Sequence, residues 1–91
     1  MDVAVNSVRY LDELGAALGR KGWSASLRFG RPPLLRVVHP SLRGVGESVA
    51  VVLVEGVPWF RASTGDLIGP CSDVRGARAR IVRTLGPLVA G

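Results

Sequence analysis

The stretch "VAVVLVEGVPWFRAS", Val49–Ser63, decides the fold. Glu55 and Gly56 interrupt two apolar runs and read as a two-residue hairpin turn. Pairing across that turn sets Val54 opposite Val57, Val52 opposite Trp59 and Val51 opposite Phe60. Successive strand residues point to opposite faces, so one face carries Val49, Val51, Leu53, Pro58, Phe60 and Ala62. The other carries Ala50, Val52, Val54, Val57, Trp59 and Arg61. A hairpin with one wet face should alternate apolar and polar residues, yet Val49 to Val54 is apolar throughout. One set supplies a core, and the second set asks for a cover of its own. A three-residue turn would instead flip the second strand and carry Trp59 into the core.

Working outward, "WSASLRF" (23–29) alternates strictly, with Trp23, Ala25, Leu27 and Phe29 on one face and Ser24, Ser26 and Arg28 on the other. "GRPP" breaks it, since proline has no N–H for a ladder, and "LLRVVH" resumes with Leu35 and Val37 inward. Keeping Leu27, Phe29, Leu35 and Val37 on one face with a five-residue loop puts Phe29 opposite Leu35 and Arg28 opposite Arg36. The segment Pro40–Gly46 reads as a loop, and "TGDLIGPCSD" (64–73) as a long connection rich in turn residues.

Helices flank these strands. The first begins near Asn6 or Ser7, either of which suits an N-cap, and carries Val8, Leu11, Leu14 and Leu18 along one face. It ends with Arg20 and Lys21 at the negative end of the dipole, Gly22 as the left-handed C′ residue and Trp23 folding back toward Leu18. The last helix, capped by Ser72 or Asp73, has Val74, Ala77, Ile81, Leu85 and Leu88 on one side and Arg75, Arg80 and Arg83 opposite. The order is αββββα. It predicts one α+β domain over residues 1–91, a four-stranded antiparallel meander with both helices on one face. The open face then combines an apolar patch (Val52, Val54, Val57, Trp59) with basic groups (Arg28, Arg36, Arg61). A second copy, another partner or the tail "GPLVAG" (86–91) folding over Trp59 are the candidate covers.

Composition narrows the chemistry. At 91 residues the chain fits one modest core. A lone Cys71 forms no intrachain disulfide and no CxxC pair, which suits a reducing, cytoplasmic setting. No basic n-region leads into an apolar stretch, and the longest apolar run is too short to span a bilayer, so no membrane association is expected. Twelve basic residues against seven acids give a net charge of +5. Eleven of the twelve are Arg, an excess that a GC-rich genome also encodes without selection for binding. His39 precedes Pro40 with no metal ligand at suitable spacing and reads as an ordinary strand-end histidine. Cys71 stands just before a helix N-terminus, where the dipole can activate a thiol, but it lacks a resolving partner and reads as a loop or core cysteine. "GVGE" and "STGD" lack the context of phosphate loops. No cofactor, metal site or catalytic constellation is expected.

The runs "LLRVVHPSLRGVGESVAVV" and "PWFRASTGDLIGPCSDVRGARARIVRTLG" resemble a group of small uncharacterised actinobacterial α+β proteins. In that group an L-R-V-x-N-P segment precedes a strand, followed by an aromatic-rich strand, an I-G/A-P turn and a capped helix. Here His39 stands in place of the Asn, and "PWFRAS" has fewer aromatics. The layout is also similar to secretion-chaperone-like folds, which implies dimerisation and binding of partner proteins.

The expectation for function is a non-catalytic, chaperone-like interaction or accessory module, a homodimer or partner-binding protein that works through the open sheet face. A small basic nucleic-acid-binding domain using Arg28, Arg36, Arg61 and the last helix is the first alternative. A small-molecule-binding accessory protein of a biosynthetic pathway, its pocket beside Trp59, is the second.

Overall fold

The computed structural model describes residues 3–42 and 44–85. Helix α1 (Val3–Gly19) leads into β1 (Ser24–Arg28), β2 (Leu34–Val38), β3 (Gly46–Val54), β4 (Val57–Ala62) and β5 (Leu67–Pro70), and α2 (Val74–Leu85) closes the chain. The five strands form one antiparallel sheet in sequence order. The class is the expected α+β, with five strands rather than four. The added strand lies in the stretch read as a connection: "LIGP" is too short to show alternation and sits among turn residues. Its Pro70 is tolerated because β5 is an edge strand.

Both helices pack on one side of the sheet. Leu11, Leu14 and Leu18 of α1 and Ala77 and Ile81 of α2 meet Leu35, Val37, Val49, Val51 and Phe60 in a single core. Val49, Val51 and Phe60 are three of the six inward residues expected from Val49–Ser63, and they face the helices because the Glu55–Gly56 turn has two residues. Glu55 (φ 50°) and Gly56 (φ 79°) both take left-handed geometry, which matches the right-handed twist of the flanking strands. The pairs Val54–Val57, Val52–Trp59 and Val51–Phe60 follow as expected.

The start of α1 differs from expectation. The helix runs from Val3, so Asn6 and Ser7 lie inside it rather than at its start, and Ser7 is buried. The residues preceding them, Val3 to Val5, contain no Gly or Pro to stop helix propagation. Its end is as read: the Trp23 N–H donates to the Leu18 carbonyl (3.1 Å) and the Gly22 N–H to the Gly19 carbonyl (3.0 Å), with Gly22 at φ 82°. These two bonds form a Schellman motif and bring the indole of Trp23 into the core, where its ring meets His39 edge-on at 4.8 Å.

The first hairpin closes differently. Leu27 pairs with Leu35 and Arg28 with Leu34, so the five-residue loop spans Phe29–Pro33 instead of starting after Phe29. Each strand shifts by one residue in opposite senses, which preserves the faces but changes every partner. Phe29 leaves the strand and is 79% exposed, against the inward position expected for it. Asp73 is the α2 cap, accepting the Gly76 N–H at 3.0 Å. Leu88 and the tail 86–91 lie outside the described residues.

Candidate functional site

The face of the sheet turned away from the helices is built in rows. Val54 sits opposite Val57 at the hairpin tip, and Val52 opposite Trp59, which in turn faces Pro70. Next come Ala50, Arg61 and Leu67, abreast of one another. Further along, Arg36 lies between Ser26 and Ser48. The apolar stripe is therefore continuous across β3, β4 and β5, with Val57 48% exposed and Val52, Val54 and Trp59 half-buried by their own neighbours. The core residues of α1 and α2 all meet the opposite face.

The basic groups do not form the cluster expected of them. Arg28 faces Leu34 and Arg36 faces Ser26, so the expected Arg28–Arg36 pair is absent from the register. The hairpin closes one residue earlier on β1, and that offset separates the two guanidinium groups. Arg36 lies over Gly46, and its charge acts on Glu47 rather than on the apolar stripe. Arg28 and Arg61 are exposed at the border of the patch.

Sequence reasoning missed three members of this surface region. Leu67 and Pro70 belong to the unrecognised β5. Leu53 was assigned to the core and is 54% exposed. The cause is a mismatch in length that a strand read as Val49–Val54 does not reveal: β3 has nine residues and β2 only five. The β3–β4 hairpin thus overhangs the neighbouring strands, and its tip is apolar on both sides. On the helix side Leu53 and Pro58 line a concavity of about 230 Å³ with Asn6 and Tyr10 of α1.

A second concavity, about 150 Å³, lies between the β4–β5 turn and α2, where Glu47, Asp66, Arg80, Ile81 and Leu85 converge. This is small beside ligand pockets, which run from about 300 Å³ upward. Glu47 has a structural use there. Its Oε1 accepts the backbone N–H groups of Ser48 and Ser63, each at 2.9 Å, and the Ser63 hydroxyl donates to the same oxygen. Burial opposes its ionisation, but these donors and the charge of Arg36 outweigh that effect, and the carboxyl sits below its ordinary value. A carboxylate with a lowered folded-state pKa contributes stability above its unfolded pKa, and that contribution disappears as pH falls through the folded value. Glu47→Gln is expected to cost about 1 kcal/mol at neutral pH, since the site is only partly buried. The same variant should flatten the loss of stability between about pH 5 and pH 3, read from urea midpoints across that range. Unchanged pH dependence would show that the latch contributes nothing.

The remaining candidates serve structure. His39 Nδ1 accepts the Ser41 N–H at 3.0 Å and the Leu42 N–H at 3.4 Å, closing the turn after β2. Cys71 is buried, and burial together with the charge of Glu13 pushes its thiol up to about 12. The thiol stays protonated at neutral pH, so the helix dipole does not activate it. Among the described residues, no group of three or more His, Cys, Asp or Glu could hold a metal ion, and no helix is long and apolar enough to cross a membrane.

Fold and face together define a two-layer α+β domain with one side of its sheet left bare by the helices. The chain matches no protein-family model, no curated protein and no solved structure.

Proposed function

We propose that the chain is a non-catalytic interaction module that associates through its open sheet face, in the first instance with a second copy of itself. The observation carrying this reading is the apolar stripe Val52–Trp59–Pro70 and Val54–Val57, which neither described helix covers. Trp and Arg at the edge of an apolar patch are residue types that dominate protein interfaces, because they bury much area for few frozen torsions. Isologous pairing of such a face would join two sheets into one sandwich with an apolar interior.

The alternatives fare less well on geometry. Arg28 and Arg61 lie on the face away from the helices, whereas α2 lies on the other, so sheet arginines and α2 cannot line one nucleic-acid surface. Trp59 lines neither of the two concavities described above, which removes the support for a ligand pocket beside it.

Solution mass by light scattering tests the proposal. The wild type is expected at twice the 9.6 kDa of one chain, almost indifferent to salt, and Trp59→Ala at the mass of one chain. A wild type that remains at 9.6 kDa at the highest attainable concentration would refute self-association.

A further inference from the structure

We infer that the outer face of α2 is a docking surface for the phosphodiester backbone of duplex DNA, separate from the sheet-face interaction proposed above. Within Val74–Leu85 there are four arginines and no acid. Ala77 and Ile81 are buried, and Val74, Val82 and Leu85 pack against the core. At 100° per residue this places Arg75, Ala79, Arg83, Gly76 and Arg80 in succession around the outward side, and all five are exposed.

The helix makes this arrangement against its own interest. Arg75 stands in the first turn, at the positive end of the dipole. Arg75 and Arg78, and likewise Arg80 and Arg83, are like charges three residues apart, a spacing that brings them together on the helix surface. The nearby acids do not answer them all. Asp73 is committed to the Gly76 N–H, Glu13 of α1 acts on Cys71, and Asp66 shares the small concavity with Arg80. A polyanion laid along the face relieves these repulsions. Arginine also suits phosphate, since its planar fork donates two parallel bonds where lysine offers a point charge.

Duplex DNA fits better than other polyanions. The charges ride on a convex helix whose intervening residues, Gly76 and Ala79, let the backbone approach closely. The B-form major groove admits a helix, whereas the deep, narrow groove of A-form RNA does not. An anionic membrane gains nothing further, because the apolar side of α2 is already spent in the core.

Fluorescence anisotropy with a labelled duplex of two helical turns tests the inference, using two variants of equal charge. Arg75→Gln/Arg80→Gln/Arg83→Gln and Arg28→Gln/Arg31→Gln/Arg61→Gln each lower the net charge from +5 by three, to +2. The wild type should lose affinity about 40-fold between roughly 50 and 200 mM salt if three phosphates are neutralised. The α2 variant should bind about tenfold more weakly or worse and show a shallower salt slope, while the second variant stays within about threefold of wild type. Replacing the same three α2 residues by Lys preserves charge and helix propensity and should retain most of the binding, which separates a lost contact from a lost fold. Equal losses in the two Gln variants would overturn the assignment to α2. A wild type without salt-sensitive binding, or one that binds polyglutamate or anionic vesicles as tightly as DNA, would overturn it altogether.

Discussion

Phe60→Ala is expected to lower stability by about 3–5 kcal/mol, while Trp59→Ala, one residue earlier, costs the isolated protomer about 1 kcal/mol or less. The two aromatic rings leave the same strand in opposite directions. Phe60 is fully buried where both helices converge on the sheet, so truncation removes apolar burial and leaves a cavity that surrounding β-strands cannot close. Trp59 is half-buried, lies beside Val52 and Pro70 on the face away from the helices, and is not part of the core cluster of the described residues. Domains of this kind have about 5–15 kcal/mol in total, so Phe60→Ala should shift the urea midpoint far toward zero with little change in slope. Association complicates Trp59→Ala in an informative way. If a second copy covers the sheet face, the wild type's unfolding midpoint rises with protein concentration and the variant's does not. Equal, concentration-independent losses for both variants would mean that both faces of the sheet are packed within one chain, and the interaction proposal would fall.

The asymmetry between Trp59 and Phe60 was legible because one short stretch contained its own register. A two-residue turn leaves a single pairing, and the alternation of β3 and β4 then sorts every side chain by face. The β1–β2 hairpin had no such constraint. A five-residue loop can close one residue earlier or later on each strand without moving any side chain to the wrong face, so burial does not select between the registers. That freedom placed Arg28 beside Leu34 instead of Arg36 and left Phe29 outside the sheet. The helices show a similar division. Gly22 and Trp23 announced the end of α1 through a specific hydrogen-bond pattern, whereas its beginning depended on ranking Asn6 and Ser7 as caps over the residues before them. Of the candidate site, the apolar stripe was legible and its surroundings were not. Leu67 and Pro70 join it through β5, which has too few residues to show a period, and Arg36 lies over Gly46 through a side-chain choice that spacing does not reveal.

Gly46→Ala should be the most damaging small change outside the core, with an expected loss of about 2–3 kcal/mol. A Cβ at this position would lie 2.3 Å from the Val37 carbonyl oxygen. That neighbour is backbone in a central strand, so relief requires β2 and β3 to separate where Val38 faces Gly46. The Arg36 guanidinium, 3.2 Å from the same Cβ, is the end of a flexible chain and yields easily. Gly44, two residues upstream, is the natural control, because a Cβ there meets nothing within 4 Å. Gly44→Ala should be nearly neutral on the same urea curves, and a Gly46→Ala protein as stable as Gly44→Ala would refute the crowding argument. The displacement has a second readout. Gly46 precedes Glu47, whose carboxylate ties the start of β3 to Ser63 beyond the end of β4. Moving Gly46 lengthens those bonds, so the acid-side loss of stability assigned to Glu47 should shrink in Gly46→Ala. A glycine here thus holds both the ladder and the carboxylate latch, and the hairpin carrying Val57 and Trp59 depends on β3 staying in place.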